Sequence, residues 1–254
     1  MATSLHAELD RQLFNEIAPR YFAKDLAEAS RVARRHRLLQ TLRAIPLPPA
    51  SSVLEVGCGG GFAARYLEGR CGRYCGIDYA EQLIAYARQH NSRPGTTFQA
   101  VSAEQFSADE PFDVVLMIGV LHHFDQMLPT LRHLVGLVRP GGWVVANEPH
   151  PGNPLVHAAR AVRKRVDRSY SPDQRELAAG ELEQLYRAAG LANIRIQPQG
   201  LFSTPLAEVV VAPRCLAQPL ARWACRADAW LEARAGRRLE PLSWNLVAAG
   251  QRPA

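Results

Sequence analysis

The sequence predicts an α/β fold built on a parallel sheet. Short apolar runs alternate with helical segments along most of its 254 residues. A glycine cluster, "GCGGG" at Gly57 to Gly61, stands directly behind the first of those runs. The fourth run, "FDVVLMIGV", is apolar almost throughout, as a strand covered on both faces must be.

Residues 1–50 read as helical. Leu26, Ala29, Val32, Ala33, Leu38, Leu39 and Leu42 recur at helical spacing and leave a basic opposite face. "PLPP", Pro46 to Pro49, ends that segment. "SVLEVG" is the first strand and "FAARYLEG" a helix running to Gly69. "RYCGID" and "EQLIAYARQH" form the next strand–helix pair. "TTFQAV" and "FDVVLMIGV" are the third and fourth strands, "MLPTLRHLVGLV" a helix and "GGWVVANEP" the fifth strand. "AGELEQLYRAAG" is a further helix, and "ANIRIQ" and "SWNLVAAGQ" close the chain. Strands that alternate with helices imply right-handed crossovers. Residues 150–178 and 203–240 interrupt the alternation and are expected to build a cap over one end of the sheet.

A hydrophobic fraction of 47% suffices for a large core, and a charged fraction of 21% suits a solvated surface. The net charge of +6 attracts anions in general without naming one. Its densest cluster, "RAVRKRVDR" at Arg160 to Arg168, reads as a solvated helix face in preference to a nucleic-acid stripe. The five cysteines form no CxxC pair, and buried thiols in a reducing compartment explain them best. "MATSLHAELDRQLF" has no apolar core of a signal peptide, and no stretch approaches about 18 uninterrupted apolar residues, so the expectation is a cytoplasmic protein.

A strand, a glycine-rich turn and a helix bring backbone N–H groups and a positive helix end to one point, a geometry suited to a nucleotide-like ligand. The dinucleotide pattern G-x-G-x-x-G fails, because residue 62 is Phe. The register is instead E-x-G-x-G-x-G, through Glu55, Gly57, Gly59 and Gly61. A carboxylate there repels a pyrophosphate and suits a ligand with cationic groups, such as an amino acid bearing a sulfonium.

From about residue 11 to residue 200 the sequence resembles the class I S-adenosylmethionine-dependent methyltransferases of the small-molecule (type 11-like) kind. The resemblance implies a Rossmann-like, mostly parallel seven-stranded sheet with helices on both faces, an antiparallel last strand and a helical cap. It also implies a single domain over 1–254, with an N-terminal helical cap (1–50), a cofactor-binding core (51–149), and insertions 150–178 and 203–240 over the acceptor site. "VLEVGCGGG" resembles the family's first motif, so the backbone of Gly57, Cys58 and Gly59 would contact the methionine part of S-adenosylmethionine. Glu55 would support the loop and the cofactor ammonium. Asp78 in "GIDYAEQLI" would accept both ribose hydroxyls, with Tyr79 beside it; the alternative for Asp78 is a helix N-cap. "VSAEQF" falls at the adenine-binding turn, with Ser102 in place of the common Asp and Ala103 and Glu104 following. Ile118 ends the fourth strand, and "LVRPGG" matches the family's run before the fifth. "LFNEIAPRYF" resembles the N-terminal motif whose Tyr, here Tyr21, closes over the cofactor carboxylate.

Methyl transfer from a sulfonium is an in-line displacement, so alignment and exclusion of water supply most of the catalysis, with a base needed only if the acceptor loses a proton. His122 and His123 follow the fourth strand, and Glu148 and His150 follow the fifth, so all four are candidates at the cofactor edge. For His123, support of its loop competes with a role as base. Glu148 and His150 are expected to contact substrate, and no metal is expected, because the four lack a recognisable ligand spacing. "NEPHPGNP" resembles a variant found among methyltransferases of envelope polysaccharide and lipid-linked pathways.

Leu216, Leu220, Trp223, Ala227, Trp230 and Leu231 recur at helical spacing. Core packing is the preferred reading of that stripe, and peripheral membrane contact through 216–231 the other. The expected partner is a small-molecule methyl acceptor. "IGVLHH" stands where an "N-P-P-Y"-like run would be, which argues against DNA. RNA has only the basic charge in its favour. A cofactor-binding module without turnover and a dehydrogenase are the remaining alternatives.

Overall fold

The computed structural model describes residues 5–153, 176–208 and 214–254. The basic cluster Arg160 to Arg168, and with it most of the 150–178 insertion, lies outside them. Seven strands form one sheet: β1 (Ser52–Val56), β2 (Arg73–Asp78), β3 (Thr96–Ala100), β4 (Phe112–Ile118), β5 (Val138–Pro149), β6 (Ala192–Gln199) and β7 (Asn245–Gln251). Their order is β3-β2-β1-β4-β5-β7-β6. The last strand, β7, runs antiparallel to both β5 and β6, so the other six are parallel. The sheet is that expected from the sequence.

Among the described residues the helices are α1 (Leu5–Leu26), α2 (Glu28–Leu42), α3 (Phe62–Tyr66), α4 (Glu81–Asn91), α5 (Met127–Gly136), α6 (Ala179–Ala188), α7 (Ser203–Glu208) and α8 (Arg214–Ala235). Each strand sends alternate side chains to opposite faces, and both faces are buried. Leu54, Val56, Val115, Met117 and Val144 meet Leu131 and Leu134 of α5 and Leu182 and Tyr186 of α6. Val53, Val114, Leu116 and Val145 meet Leu38 and Leu42 of α2, Ala63 and Ala64 of α3, and Ile84 of α4.

Strand order reverses between β1 and β4, both neighbours of the same register: Glu55 pairs with Gly76 on one side and with Leu116 on the other. The chain leaves the carboxyl ends of β1 and β4 in opposite directions, which opens a crevice there. Helix α1 lies across that edge. It is tied to α4 by Arg11 and Asn15, whose side chains hydrogen-bond the Glu81 carboxylate, and by the Gln82 amide, which donates to Asn15 Oδ1 at 3.0 Å.

Two expectations need correction. Helix α3 is five residues long and does not run to Gly69, so its dipole contributes little at the glycine loop. The stripe on 216–231 is not core: Leu216, Leu220, Trp223 and Trp230 are exposed. The face of α8 that packs inward is Ala217, Ala221 and Ala224, against Ala29 and Ala33 of α2 and Ala207 of α7. Small residues let three helices approach closely, and the larger apolar side chains are left outside.

Candidate active site

The glycine loop is wound on itself. Gly57, Gly59 and Gly61 all have positive φ (69°, 51° and 74°), the left-handed region where other L-residues pay a steric cost. Its amides are largely spent inside the protein. Gly57 and Cys58 both donate to the Ile77 carbonyl, at 2.8 and 3.0 Å. Gly61 donates to the Cys58 carbonyl at 2.9 Å, and Gly59 donates to Asp78 Oδ2 at 2.9 Å. The loop is therefore no nest of free donors for a pyrophosphate. What it presents is bare Cα surface, and the reasons for glycine differ by position. A Cβ on Gly57 would stand 2.4 Å from Val120 Cγ2, and one on Gly61 2.5 Å from Phe98 Cε1. A Cβ on Gly59 would meet only Tyr21 Cε1, at 3.6 Å. Space is thus left over Gly59, beneath Tyr21. The side chain of Cys58 turns into the core, where a Cβ on Gly76 would touch its sulfur, so only its backbone faces the crevice.

Asp78 ends β2 with both oxygens engaged: Oδ2 on Gly59 and Oδ1 on the Ala80 amide at 2.9 Å. The N-cap of α4 is Ala80 and no side chain caps the helix, so the N-cap alternative for Asp78 does not hold; its carboxylate instead ties the Ala80 amide two residues on. A carboxylate has about four acceptor positions, so two remain for a ligand. Burial pushes the Asp78 carboxyl up, against the two amides it accepts. Glu55 lies deeper, beneath the loop, hydrogen-bonded by the Tyr74 hydroxyl. Burial pushes it up to about 8, so the acid is stored neutral below that pH.

Above the loop, α1 supplies an acid that no motif foretold. Asp10 is buried, and its Oδ2 stands 2.8 Å from His123 Nδ1. Asp10 also holds the Tyr79 hydroxyl, whose pKa rises through burial and the nearby carboxylates. The Phe14 ring stands edge-on to Tyr21, Tyr79 and His123 at 5.8 to 6.2 Å. The residues from three separate motifs, Tyr21, Tyr79 and His123, are thereby gathered around one aromatic ring. A carboxylate at Nδ1 fixes the imidazole proton there and leaves the lone pair on Nε2.

The four chemical candidates separate. Glu148 has no exposure and is consumed as a staple. It accepts the Val120, Leu121 and His122 amides at 3.1, 2.9 and 3.4 Å, and its Oε2 lies 2.7 Å from His122 Nδ1. It thus holds the turn after β4 and is not placed to contact substrate, as the sequence had suggested. His122 is buried with it, its Nε2 has no hydrogen-bond partner among the described residues, and its ring lies 4.2 Å from that of His123. His150 sits elsewhere, under the loop before β7. Its amide donates to the Trp244 carbonyl at 2.9 Å, and its ring contacts Ser243. Among the described residues, no three His, Cys, Asp or Glu side chains converge as a metal site. At the adenine-type turn, the Ser102 carbonyl accepts the Gln105 and Phe106 amides, Ala103 is buried, and the Glu104 carboxylate accepts the Thr130 hydroxyl at 3.1 Å. Ile118 borders the crevice at the end of β4, half-buried.

A family model described as "Methyltransferase domain" matches residues 54–144. A ubiquinone biosynthesis O-methyltransferase of Thiobacillus denitrificans is 31% identical over 165 residues, 62% of this chain and 70% of the relative. The fold is similar to that of a SAM-dependent methyltransferase of Thermotoga maritima, with TM-score 0.64 and 20% identity over 96% of this chain and 99% of the other. It is also similar to the phosphoethanolamine N-methyltransferase 2 of Haemonchus contortus bound to S-adenosyl-L-methionine, with TM-score 0.59 and 15% identity over 86% of this chain and 52% of that one. The chain belongs to the class I S-adenosylmethionine-dependent methyltransferases. It is an enzyme that uses S-adenosylmethionine to methylate a small molecule.

The crevice fits that cofactor in three respects. The Cα of Gly59 is open on the ligand side. Asp78 keeps acceptor capacity at the strand end where a ribose would lie. The crevice has no pyrophosphate-type donor array, because the loop amides are spent within the protein, and the Asp78 carboxylate faces the ligand side, whereas Glu55 lies neutral beneath the loop and adds no charge there. Among the described residues, no helix is long and apolar enough to cross a membrane.

Proposed function

We propose that the methyl group goes to an oxygen of the small-molecule acceptor, and that His123 removes the acceptor proton while Asp10 holds the imidazole in the required tautomer. The observation that carries this reading is the 2.8 Å pairing of His123 Nδ1 with buried Asp10. A carbon or nitrogen acceptor that needs no deprotonation gives no reason for a buried carboxylate behind a histidine at this edge. The Thiobacillus relative named an O-methyltransferase supports the same choice.

In this reading Gly57, Cys58 and Gly59 hold the methionine part of the cofactor through the backbone, Glu55 lies behind them, and Asp78 accepts the ribose hydroxyls. Tyr21 covers the amino-acid end, Tyr79 flanks the ribose, and Ser102, Ala103, Glu104 and Ile118 surround the adenine. The bound sulfonium supplies an activated methyl and a good leaving group. Helix α1 excludes water by lying over the crevice, and Phe14 keeps Tyr21, Tyr79 and His123 in register. His122 and Glu148 act as a positioning pair that fixes the turn carrying His123. The insertions 150–178 and 203–240 shape the acceptor side. The acceptor reaches the enzyme in the cytoplasm, from a membrane surface touched by residues 216–231.

Labelled-methyl transfer to a panel of phenols and aliphatic alcohols tests the proposal. The His123→Asn variant should lose about 10²–10⁴-fold in kcat while retaining affinity for S-adenosylhomocysteine. The loss should shrink as the acceptor becomes more acidic, because a pre-ionised hydroxyl needs no base. An equal loss for every acceptor, or none, would reject the base and leave His123 a loop support.

A further inference from the structure

Helix α8 is amphipathic in an unusual sense, since its alanines face the protein and its large apolar side chains face out. Trp223 and Trp230 are more than half exposed, with Leu216 and Leu220 beside them. An apolar shelf made by Trp223, Ala227, Trp230 and Leu231 continues through Arg226 into a second concavity. That second one is a groove of about 260 Å³ between α2 and α8. It is lined by Arg35 and His36 of α2, by Arg43 just beyond that helix, and by Arg222 and Arg226 of α8.

The positive charge there is only partly offset from within: the Asp228 carboxylate acts on His36 and the Glu232 carboxylate on Arg43, with no ion pair there among the described residues. Arg35, Arg222 and Arg226 have no carboxylate partner among the described residues, and Arg43 bonds only the neutral Gln40 amide at 3.0 Å. The carboxylates closest to the groove are committed elsewhere. Asp228 is buried and accepts the Leu201, Phe202 and Ser203 amides, and Glu232 accepts the Gly200 amide at 2.8 Å. Burial pushes Glu232 up to about 7, which weakens its charge further. The His36 ring is half-buried, burial lowers its pKa, and its Nε2 has no hydrogen-bond partner among the described residues. Four arginines line one groove, and a guanidinium fork matches phosphate oxygens bidentately, so the groove suits an anion. A phosphate site bordered by two outward tryptophans and two leucines has the profile of a membrane interface, where indole rings sit at headgroup level and basic side chains meet anionic lipid.

We propose that the groove between α2 and α8 binds the phosphate of an anionic phospholipid, with Trp223, Trp230, Leu216 and Leu220 inserted alongside it. The inference rests on the membrane contact given under the proposed function and adds to it a headgroup site and the residues that form it. The site places the membrane against α2, the helix whose neighbour α1 covers the crevice.

Co-sedimentation of the full chain with vesicles tests both levels. Vesicles of phosphatidylcholine alone are compared with vesicles containing phosphatidylglycerol. Wild-type protein should partition at least tenfold more strongly onto the anionic vesicles. Arg222→Gln with Arg226→Gln should remove that preference, since each basic side chain near such a surface is worth about 1 kcal/mol, or roughly fivefold. Trp223→Ser with Trp230→Ser should reduce binding to both kinds of vesicle. Titration with S-adenosylhomocysteine checks that each variant is folded. No sedimentation with either vesicle would overturn the membrane contact itself. Equal binding to the two vesicles, or anionic preference unchanged in the arginine variant, would overturn the headgroup site while leaving the membrane contact in place. Calorimetric binding of inorganic phosphate without vesicle binding would assign the groove to a free phosphate, and a dimer in light scattering that Trp223→Ser dissolves would assign the face to a second copy; either result overturns the proposal.

Discussion

Replacing Gly59 with alanine separates the cost to the fold from the cost to the ligand. With φ at 51° the residue lies in the left-handed region, where a side chain costs roughly 1–2 kcal/mol. Sterically the new methyl is tolerated, because its one neighbour within 4 Å is Tyr21 Cε1 at 3.6 Å, an ordinary contact. At about 2–4 °C per kcal/mol for a chain near this size, the melting temperature should fall by roughly 2–8 °C. A cofactor resting on the bare Cα, by contrast, must retreat by the width of a methyl group. At least a tenfold loss of S-adenosylhomocysteine affinity follows, about 1.4 kcal/mol. Gly57→Ala is the contrasting control, since its methyl would meet Val120 at 2.4 Å and disturb the fold itself. Calorimetric titration beside a melting curve measures both quantities. Unchanged affinity in a Gly59→Ala protein that melts as expected would refute the idea that the ligand lies on this surface.

Three further outcomes follow from the same geometry. Glu55, near 4.5 when unfolded and about 8 when folded, favours the native state below pH 4.5, and that contribution is lost as pH rises from 4.5 to 8. Urea unfolding at several pH values should therefore show the stability of wild type falling across that window relative to Glu55→Gln; parallel curves would contradict the buried neutral acid. Glu148→Ala should cost about 3 kcal/mol or more in chemical denaturation, because three amides and His122 lose their acceptor; a near-neutral effect would show that the turn is held otherwise. Asp10→Asn should lower kcat with little change in S-adenosylhomocysteine binding, and by less than His123→Asn does; an effect on binding alone would make Asp10 a tether of α1 and nothing more.

The sheet was readable because burial on both faces leaves near-continuous apolar runs, as in "FDVVLMIGV", and because Gly57, Gly59 and Gly61 mark a turn whose positive φ angles favour glycine. The break between α1 and α2 at Ala27 was not, since no proline or glycine stands there and the helical pattern runs through it. Asp10 was missed for a different reason. It lies 113 residues from His123, in a helix whose polar and apolar residues show no clear separation, and its partner is set by how α1 lies over the sheet. Glu148 and His122 looked like chemistry because one lies at the end of the fifth strand and the other just after the fourth, yet a carboxylate facing three amides is satisfied where it stands. In α8 the hydrophobic stripe pointed to the wrong face. Close helix contact selects alanine, so the stripe with the larger side chains was the one left outside.

The crevice between β1 and β4, roofed by α1, is the heart of the account, and a crystal structure of the wild-type protein with S-adenosylhomocysteine tests it most directly. The account predicts the ligand's amino-acid end over Gly57 to Gly59 beneath Tyr21, its ribose hydroxyls on Asp78, and His123 still paired with Asp10 at the open end. A ligand found elsewhere, or one that reaches Gly59 only after the Asp10–His123 pair has been broken, would contradict it.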